Sequence, residues 1–513
     1  MASFLIVGGA GYVGSAFAAY LIDRGEDVWI LDDLSTGHRS LILDSVMAEG
    51  HFIEARAGNR LALDALFKAQ RFDVVFHFAA KSLVGESVKF PEIYRENNVD
   101  QTKLLLDAMV AHGVRRLVFS STAAVYGDPG DREIDERLEK KPINPYGETK
   151  LAVEHMLVEY GTHHGLRSIA LRYFNAAGAD SQLRVGEDHH PESHLIPNVL
   201  AAGIADRAVA IFGDDYPTRD GTCVRDYVHV EDLAQAHAAA AARMMAEDSA
   251  KSGFEAFNLG SAEGFSVKEV IAEAERVLGR PIAVDVETRR PGDPAKLVAV
   301  SERAKRELGF APRAHALNSI LKTALEWERK KTKPKKAVFI DRDGTLNFDP
   351  GYLNDHEKFE LLPGVPAALK RLADAGYLLV VVSNQSGIAR AKITLGELRG
   401  IHAKLDRVLA VHGVRIHHYA LCFHHPEENC ECRKPKPKLV LDTAARYRID
   451  LKKSFMVGDK MSDVECGRNA GVAGSFLVGT GYGLEEVKHL SNAKENFFPD
   501  LAAVVDHILR SSV

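Results

Sequence analysis

The stretch FLIVGGAGYVG, residues 4–14, determines the fold of the first part of the chain. Its apolar half, Phe4–Val7, predicts a short buried strand of a parallel sheet. Gly9, Gly11 and Gly14 then fit the pattern G-x-G-x-x-G, in which glycine lets the backbone turn tightly and approach a pyrophosphate at the start of a helix. We therefore expect a dinucleotide-binding loop here. The residues expected to contact the dinucleotide are Gly8, Gly11, Tyr12, Val13 and Gly14.

Two acidic residues at the end of the next predicted strand indicate which dinucleotide is bound. Asp32 lies eighteen residues after Gly14 and is followed by Asp33. A carboxylate at this place accepts hydrogen bonds from the adenosine ribose hydroxyls and repels a 2′-phosphate. The sequence therefore predicts NAD rather than NADP, with Asp32 and Asp33 among its contacts.

Strands and helices alternate through the first 325 residues. Predicted strands at 28–31, 74–78, 117–121 and 168–173 are separated by helical patterns such as 15–24 and 102–112. This alternation is typical of a doubly wound parallel sheet. We expect an α/β domain at 1–327, with a dinucleotide-binding core at about 1–175 and a small substrate lobe at about 176–320.

A second α/β domain is predicted after a basic segment. Residues 328–336 combine a proline with a run of lysines and one arginine, a composition typical of a solvated linker. Beyond this segment, apolar runs at 337–340, 378–383, 418–422 and 455–458 predict strands that alternate with helices. The motif Asp341-Arg342-Asp343-Gly344-Thr345 follows the first of these strands. We therefore expect a separate catalytic domain at 337–513.

Composition and charge limit the classes of function. With 513 residues, of which 46% are hydrophobic and 27% charged, the chain is long enough for two α/β cores. Its net charge of −6 is unfavourable for binding nucleic acid. No apolar run reaches the roughly 20 residues that cross a membrane, and no signal peptide is recognisable. We expect a cytoplasmic enzyme with small-molecule substrates.

Three residues carry the chemistry predicted for the first domain. Tyr146 and Lys150 lie one helical turn apart, so their side chains share a face. An ammonium beside a phenol stabilises the phenolate, and we expect Lys150 to lower the pKa of Tyr146 toward neutrality, as a general base requires. Thr122, at the end of a predicted strand, adds a hydroxyl to the same site. Thr122, Tyr146 and Lys150 are therefore the predicted catalytic residues.

These residues resemble those of the extended short-chain dehydrogenase/reductase superfamily. The segments Arg172–Gly178, Gly186–Asp188 and Phe212–His229 narrow the resemblance, which covers residues 3–325, to the UDP-glucose 4-epimerase family. It implies an NAD-binding Rossmann domain with a small substrate lobe, in which Tyr146 and Lys150 also contact NAD. The implied reaction is oxidation and non-stereospecific reduction at C4 of a UDP-sugar. Residues that would bind the nucleotide and the sugar are Asn175, Arg225, Arg290 and Asp293.

Several alternatives concern this domain. A 4,6-dehydratase needs an acid/base carboxylate pair directly after Thr122, where this chain has two alanines, so that reaction is disfavoured. Arg56 replaces an aspartate that usually contacts adenine in the family, which leaves open a domain that only binds NAD or a nucleotide sugar. A nucleotide-heptose is a further candidate substrate. Leu297, near the expected sugar pocket, leaves the choice between hexose and N-acetylhexosamine open. The resemblance also implies a homodimer, formed through paired helices.

The second domain resembles haloacid dehalogenase-type phosphatases, which implies a second Rossmann-like fold and an aspartyl-phosphate mechanism. Asp341 would attack phosphorus, and Asp343 would protonate the leaving alcohol. Mg²⁺ would be held by Asp341, by the backbone carbonyl of Asp343 and by Asp459. The residues expected to bind the substrate phosphate are Ser383, Asn384, Arg433 and Lys434.

Three cysteines and a histidine form a metal-binding pattern within eleven residues. Cys422, His424, Cys430 and Cys432 have the spacing C-x-H…C-x-C, which supplies four ligands for tetrahedral Zn²⁺. In a reducing compartment such crowding favours a metal over disulfides. Because all four positions come from the protein, we expect a structural zinc that holds the loop carrying Arg433 and Lys434.

The zinc loop and the segments Asp341–Asn347 and Ser383–Arg390 resemble D-glycero-D-manno-heptose 1,7-bisphosphate phosphatases over about 336–483. Histidinol-phosphate phosphatases share the aspartates and the zinc loop and are the alternative, although 351–353 and 386–390 favour the heptose enzyme. About forty residues separate the first two motifs, too few for a large cap, which predicts a compact substrate. The two resemblances imply a bifunctional enzyme that supplies precursors of surface polysaccharides such as lipopolysaccharide.

Overall fold

The computed structural model describes residues 2–130, 132–246, 253–290, 294–312, 316–489 and 496–511. The chain forms two compact units, the first built from Met1–Val46 and His51–Lys331 and the second mainly from Thr332–Val513. Within the described ranges, we find no helix that is both long enough and apolar enough to cross a lipid bilayer.

A parallel sheet forms the centre of the first unit. The strands of this unit are β1 (Ser3–Val7), β2 (Asp27–Asp32), β3 (Phe52–Glu54), β4 (Val74–His77), β5 (Arg116–Thr122), β6 (Arg167–Tyr173), β7 (Asn175–Ala177), β8 (Val209–Phe212), β9 (Val224–His229), β10 (Phe254–Leu259), β11 (Gly264–Ser266), β12 (Val284–Glu287) and β13 (Lys296–Leu297). In the described part of the unit, seven of them pair in the order β10-β6-β5-β4-β1-β2-β3. The order reverses direction between β1 and β4, which is where open α/β sheets bind ligands.

Helices cover both faces of this sheet. The helices of the first unit are α1 (Tyr12–Ile22), α2 (Asp44–Ala48), α3 (Arg60–Ala69), α4 (Val84–Lys89), α5 (Pro91–Arg95), α6 (Gln101–Ala111), α7 (Pro145–His164), α8 (Leu195–Ala205), α9 (Val230–Met245), α10 (Val267–Leu278), α11 (Glu302–Leu308) and α12 (Leu317–Thr332). Alternate residues of β1 face opposite layers: Leu5 packs with the apolar side chains of α3, α6 and α7, whereas Phe4 packs on Phe76. Phe76 in turn contacts Phe17 of α1. Both faces are therefore apolar, as a parallel sheet requires.

A smaller lobe follows β6. In it β9 pairs with β11, β13 and β7, and β8 pairs with β12. Its own hydrophobic cluster is made by α8, α10 and α12, with Ile196, Ile271 and Ile320 at their contact. Because β7 starts two residues after the end of β6, the lobe begins at the carboxyl edge of the main sheet.

The second unit contains another parallel sheet. Its strands are β14 (Lys336–Ile340), β15 (Tyr377–Asn384), β16 (His418–Cys422), β17 (Phe455–Gly458), β18 (Gly474–Val478) and β19 (Phe497–Phe498). Its helices are α13 (Val365–Asp374), α14 (Leu395–Ala410), α15 (Lys438–Tyr447), α16 (Met461–Ala470), α17 (Gly483–Glu486) and α18 (Leu501–Ser511). Among the described residues the strand order is β16-β15-β14-β17-β18-β19. The carboxyl ends of β15, β14 and β17 therefore lie side by side.

The α/β class predicted for both parts of the chain is confirmed. The segment 328–336, expected to be a linker, differs from the prediction because α12 continues to Thr332 and β14 begins at Lys336. Arg329, Lys330 and Lys331 occupy the last turn of α12. Cations there interact favourably with the exposed carbonyl end of a helix, so the basic run stabilises a helix terminus.

Candidate active sites

The glycine-rich loop joins β1 to α1. Gly8 has φ +88°, and a Cβ atom there would lie 2.3 Å from the backbone nitrogen of Ala79. A Cβ atom on Gly14 would lie 2.3 Å from the carbonyl oxygen of Gly8. Only glycine fits these two positions, and the N-terminal end of α1, which follows Gly11, stays open toward the loop.

Tyr12 and Val13 fix the first turn of α1 to the lobe. The hydroxyl of Tyr12 donates a hydrogen bond of 2.6 Å to the carbonyl oxygen of Gly178, and Val13 packs on a cluster that includes Trp327. The hydroxyl of Tyr12 is therefore anchored to the lobe, and the predicted contacts of Tyr12 and Val13 with a dinucleotide stay predictions.

Asp32 braces the loop from the end of β2. Its two carboxylate oxygens accept hydrogen bonds from the backbone N–H groups of Ala10, at 2.9 Å, and Leu34, at 2.8 Å. Burial raises the pKa of Asp32 to about 6. Asp33, which is less buried, accepts a bond from the N–H group of Ser35. Each oxygen of Asp32 has a second lone pair, so acceptance from a ribose hydroxyl is compatible with these bonds.

Thr122, Tyr146 and Lys150 meet at the carboxyl end of β5. Helix α7 starts with Asn144 as its cap and Pro145 in its first turn, which places Tyr146 and Lys150 on one face. The phenol of Tyr146 is hydrogen-bonded to Thr122. The ammonium of Lys150 donates to the carbonyl oxygen of Ser120 at 2.7 Å and lies 4.7 Å from the centre of the Phe119 ring. The structure thus brings the three predicted residues together.

The expected effect of Lys150 on Tyr146 is wrong for this structure. Burial raises the pKa of Tyr146 to about 12 and lowers the pKa of Lys150 to about 7. The physical reason is that Lys150 donates to a backbone carbonyl on β5, while removal from water penalises the charged form of both groups.

Asn98 was missed by the sequence analysis. Its side chain accepts from the N–H group of Lys81 at 2.8 Å and donates to the hydroxyl of Thr149, which lies between Tyr146 and Lys150. Asn98 belongs to a π-helical segment, Glu96–Asp100, and such segments often mark functional sites. No sequence pattern signals a π-helical turn.

The residues predicted to bind the nucleotide sugar lie in or next to the lobe. Asn175 donates to the carbonyl oxygen of Asp226 at 2.9 Å, and Arg225 and Leu297 face each other in register on β9 and β13. Arg290 is exposed and its guanidinium lies 3.7 Å from the centre of the Phe212 ring. Asp293 lies outside the described residues.

Arg56 has an acidic partner. Its guanidinium contacts both carboxylate oxygens of Glu96, at 2.7 and 2.8 Å. Both side chains are about half exposed. The positive charge of Arg56 is therefore paired with the negative charge of Glu96.

The second site gathers at the adjoining ends of β14, β15 and β17. Asp341 follows β14 and is 5% exposed. Its carboxylate accepts from the ammonium of Lys434 at 2.7 Å, and the same ammonium lies 2.6 Å from Asp463. Burial lowers the pKa of Lys434, but the two carboxylates outweigh it and raise that pKa well above its usual range. Lys434 is therefore a fixed cation beside Asp341.

Asp459 lies in the same acidic group. Ligand atoms of Asp341, Asp459 and Asp463 all lie within 4.8 Å of one another. One oxygen of Asp459 is buried without a hydrogen-bond partner, and burial together with the charge of Asp341 raises the pKa of Asp459 to about 7. Three converging carboxylates, one of them unsatisfied, fit a hard divalent cation. Asp463 was not among the predicted ligands, although it lies in the same segment as Asp459.

A hydrogen-bond web holds Asp343. It accepts two bonds from Arg342, at 2.7 and 3.0 Å, one from Gln385 at 2.9 Å and one from Asn347 at 3.1 Å. Burial alone would raise the pKa of Asp343, but the charge and hydrogen bonds of Arg342, together with the bonds from Gln385 and Asn347, outweigh burial and lower the pKa. Asp343 is thus a carboxylate near neutral pH in the free site, and it must take up a proton before it can protonate a leaving alcohol.

The loop after β16 is tied to the end of β15. Asn384 accepts from the backbone N–H group of Lys434 at 3.0 Å and donates to its carbonyl oxygen at 3.2 Å. Ser383 accepts from Gln385 at 3.0 Å. One guanidinium nitrogen of Arg433 is buried without a hydrogen-bond partner in the described part of the unit. This nitrogen is suited to an anion.

These side chains line a cavity of about 330 Å³. The residues that line it include Asp341, Tyr352, Ser383, Ser386 and Arg433. Arg390 donates to the hydroxyl of Tyr352 at 3.2 Å, so the segments 351–353 and 386–390 meet beside the cavity. The volume suits a small ligand with phosphate groups.

The cysteine cluster lies at the start of the same loop. Sulfur and nitrogen atoms of Cys422, His424, Cys430 and Cys432 are 3.2–3.7 Å apart along four edges. A tetrahedral zinc with bonds of about 2.0 Å to nitrogen and 2.3 Å to sulfur requires edges of roughly 3.5–3.8 Å. His425 points elsewhere, since it accepts from the N–H group of Glu427. The donor set and its spacing fit one zinc ion.

Enzymes of the short-chain dehydrogenase/reductase class combine a glycine-rich dinucleotide loop with a hydroxyl, a phenol and a lysine at a strand end, and the first unit has this combination. The model of the NAD dependent epimerase/dehydratase family matches residues 4–260. The chain belongs to this family.

Individual relatives of the first unit are UDP-glucose 4-epimerases. A UDP-glucose 4-epimerase of Halalkalibacterium halodurans is 48% identical over 328 residues, which is 64% of this chain and 96% of the relative. A UDP-glucose 4-epimerase of Corynebacterium glutamicum is 46% identical over 322 residues, which is 62% of this chain and 94% of the relative. The similarity therefore spans nearly the whole of these relatives and leaves the second unit uncovered.

Solved structures give the same result. UDP-glucose 4-epimerase from Brucella ovis in complex with NAD is 41% identical with a TM-score of 0.60, over 64% of this chain and 98% of that one. The Bifidobacterium longum enzyme in complex with NAD⁺ and UDP is 33% identical with a TM-score of 0.59, over the same shares. For the second unit, an HAD-hydrolase-like model matches residues 431–504, which fits a phosphatase of the haloacid dehalogenase type.

Proposed function

We propose that the chain is a bifunctional enzyme. The first unit is a UDP-glucose 4-epimerase that uses NAD, and the second is a Mg²⁺-dependent phosphatase that removes the 7-phosphate of D-glycero-D-manno-heptose 1,7-bisphosphate. The first assignment is supported mainly by the hydrogen bond between Thr122 and Tyr146, with Lys150 one helical turn further along α7. The unit that contains these residues is 48% identical to a UDP-glucose 4-epimerase.

The first reaction is centred on the Tyr146 phenol oxygen. The C4 hydroxyl of the sugar would bind between Thr122 and Tyr146, giving its proton to Tyr146 Oη and recovering it when C4 is reduced. The glycine-rich loop and Asp32 would hold NAD, which would supply a hydride acceptor for C4 and a positive ring charge that favours the phenolate. Lys150 keeps two N–H donors after its bond to Ser120, which suit the cofactor.

A tyrosine substitution tests the epimerase. Tyr146→Phe removes the proton acceptor, and we expect the rate of UDP-glucose to UDP-galactose conversion to fall roughly 100-fold or more. Tyr160→Phe, on the same helix but bonded to Asp107, is the matched control and should keep the wild-type rate. Equal rates at the background level in wild type and Tyr146→Phe would leave the first unit only a binding role, and an active variant with the wild-type rate would contradict the role of Tyr146.

The second reaction starts at Asp341. Its carboxylate is buried and aimed by Lys434, which also supplies positive charge for the phosphoryl oxygens. Asp341, Asp459 and Asp463 would hold Mg²⁺, which when bound offsets the negative charge of the transferred phosphoryl group. Asp343, ionised in the free site, would take up one proton from solvent as the substrate binds and give it to the leaving alcohol oxygen. It would then take a proton from the water that hydrolyses the aspartyl phosphate and release that proton to solvent as phosphate leaves.

The proposed substrate is inferred from the cavity and from two segments that meet beside it. A space of about 330 Å³ suits a single sugar with phosphates. The contact of Arg390 with Tyr352 joins the two segments by which the sequence resembles the heptose phosphatases, and Arg433 offers an unpaired donor to a phosphate.

The substrate is tested by comparing phosphate release from heptose 1,7-bisphosphate and histidinol phosphate with Mg²⁺. We expect strong preference for the heptose, a product that retains its 1-phosphate, and no release in Asp341→Asn. Preference for histidinol phosphate would reject the heptose assignment while leaving the phosphatase assignment in place.

Two further features belong to this proposal. We infer that Cys422, His424, Cys430 and Cys432 hold a structural zinc that positions Arg433 and Lys434, since their spacing fits the ion. We also infer a homodimer formed by the first unit. Val88, Phe90 and Ile93 on α4, its cap and α5 are 46–62% exposed, and a second copy would cover these apolar side chains.

A further inference from the structure

A second group of metal-ligating side chains lies in the first unit, outside the site described above. Ligand atoms of Glu187, His189, Glu192 and His194 all lie within 4.8 Å of one another. These four residues, here called the His₂Glu₂ cluster, occupy the irregular segment between β7 and α8. None of them takes part in the proposed epimerisation.

The distances within the cluster lie on both sides of the value around a coordinated ion. The Nδ1 atoms of His189 and His194 lie 3.2 and 2.7 Å from the same oxygen of Glu187. The Nδ1 atom of His189 lies 3.7 Å from Oε2 of Glu192. A tetrahedral ion with bonds of about 2.0 Å to nitrogen and oxygen requires ligand separations of roughly 3.3 Å, which is the centre of this range.

One ligand atom lacks a partner. Oε1 of Glu192 accepts from the backbone N–H groups of Ser193 and His194, whereas its Oε2 is buried without a hydrogen-bond donor in the described residues. Buried carboxylate oxygens are rarely left unsatisfied. Oε2 of Glu192 lies 3.7 Å from Nδ1 of His189, so the atom without a hydrogen bond points into the cluster.

The two carboxylates of the cluster are largely buried. Glu187 and Glu192 are 8% and 16% exposed, and within the described chain their ion-pair partners are the two histidines. Burial lowers the pKa of each histidine, but the two glutamates outweigh burial and raise the pKa to about 9 for His189 and about 10 for His194. A divalent ion would therefore replace two protons, and it would neutralise the charge of −2 on the deprotonated set. The side chains of His189 and His194 are 28% and 42% exposed, so an ion can enter from solvent.

The backbone around the cluster is fixed before any ion binds. The carbonyl oxygen of Glu187 accepts from Trp327 at 2.8 Å and from Lys331 at 3.3 Å, both on α12. The carbonyl oxygen of Asp188 contacts Nε2 of His38 at 2.7 Å. The ring of His189 lies edge-on to Tyr12, with centroids 6.3 Å apart, and Tyr12 opens α1 directly after the glycine-rich loop.

We propose that the His₂Glu₂ cluster binds one divalent transition-metal ion, of which Zn²⁺ is the best match. Two imidazoles and two carboxylates are a tetrahedral zinc donor set, and four protein ligands make the site structural. Its effect is to lock the segment 178–194 against the first turn of α1, and so to support the loop that receives the dinucleotide.

Zinc content per chain tests this site. The full-length protein, wild type and Cys430→Ser, is purified, loaded with Zn²⁺, dialysed and analysed for bound metal, each with and without His194→Ala. We expect His194→Ala to remove one equivalent in both backgrounds, because the cysteine cluster is independent of it. His155→Ala, at an exposed histidine on α7 that belongs to none of the candidate metal groups of the described residues, is the control and should retain the ion.

A second, more conservative variant separates loss of the ion from misfolding. Glu192→Gln keeps the size of the side chain and should still lower zinc affinity by more than the 10–100-fold seen for outer-shell changes. A chelator should lower the melting temperature of the first unit in wild type and leave it unchanged in Glu192→Gln. Equal zinc content in parent, His194→Ala and Glu192→Gln would overturn the proposal and identify the cluster as histidine–glutamate ion pairs only.

Discussion

Two buried lysines show how the surroundings of a residue shift its pKa in opposite directions. Lys150 is 3% exposed and has a backbone carbonyl as its hydrogen-bond acceptor, and burial lowers its pKa to about 7. Lys434 is equally buried but contacts two carboxylates, which raise its pKa. The first lysine is destabilising when charged, and the second is a permanent cation.

This difference predicts the stability of Lys150→Met. The folded-state pKa of about 7 lies below the unfolded value, so the cost of burying the ammonium is fully present below pH 7 and disappears as pH rises toward 10.5. We expect the variant to be more stable than wild type at pH 6, by up to about 4 kcal/mol, with the gain shrinking at pH 9. Denaturant unfolding of the first unit at both pH values measures this.

The control is Lys103→Met, an exposed lysine paired with Asp107 on α6. It should show no gain at either pH. A Lys150→Met variant whose stability relative to wild type is the same at pH 6 and pH 9 would contradict the account of Lys150.

The sequence predicted which residue types carry the chemistry but not their electrostatics. Tyr146, Lys150, Asp341 and Asp459 were identified from motifs, and the structure places each at a strand end or helix start. The pKa of Tyr146 could not be predicted from the motif, because it depends on burial and on the hydrogen bond that Lys150 donates to the carbonyl oxygen of Ser120. Asp463 was missed because its position relative to Asp341 is set by the sheet order.

At the scale of elements, motif loops are fixed by contacts between distant segments. The loop that carries Lys434 is tied at one end to Asn384 on β15 and at the other to the cysteine cluster. Predicted strands agreed with the observed ones to within one or two residues, because each is a short buried apolar run. The basic segment 328–336 was assigned to a linker although its first five residues end α12, since charge alone does not distinguish a linker from a helix end.

The cysteine cluster gives a prediction for this loop. In Cys430→Ser we expect zinc to be lost from the second unit, and the phosphatase kcat to fall about 10–100-fold as Lys434 loses its fixed position. Zinc analysis and phosphate release measure the two effects, and epimerisation should stay at the wild-type rate.

Cys223→Ser, which changes a buried thiol of the first unit, is the control and should leave the zinc of the second unit and phosphate release unchanged. Full phosphatase activity of Cys430→Ser together with retained zinc would show that the four side chains do not form a metal site.

At the scale of the whole molecule, the apolar side chains on α4 and α5 predict self-association. We expect a dimer at micromolar concentration and a shift toward monomer in Phe90→Asp, because a charge is costly in an apolar interface. Leu61→Asp, at an exposed position on α3, should remain dimeric. Sedimentation equilibrium distinguishes these outcomes, and a wild-type monomer would contradict the dimer.

One chain with two independent catalysts should lose its activities one at a time, and a crossed assay of two variants measures this. Full-length Tyr146→Phe and Asp341→Asn are each assayed for UDP-glucose to UDP-galactose conversion and for phosphate release from heptose 1,7-bisphosphate. We expect Tyr146→Phe to lose only the first activity and Asp341→Asn to lose only the second. Loss of both activities in either variant, or retention of both in either, would show that the chain does not contain two independent catalysts.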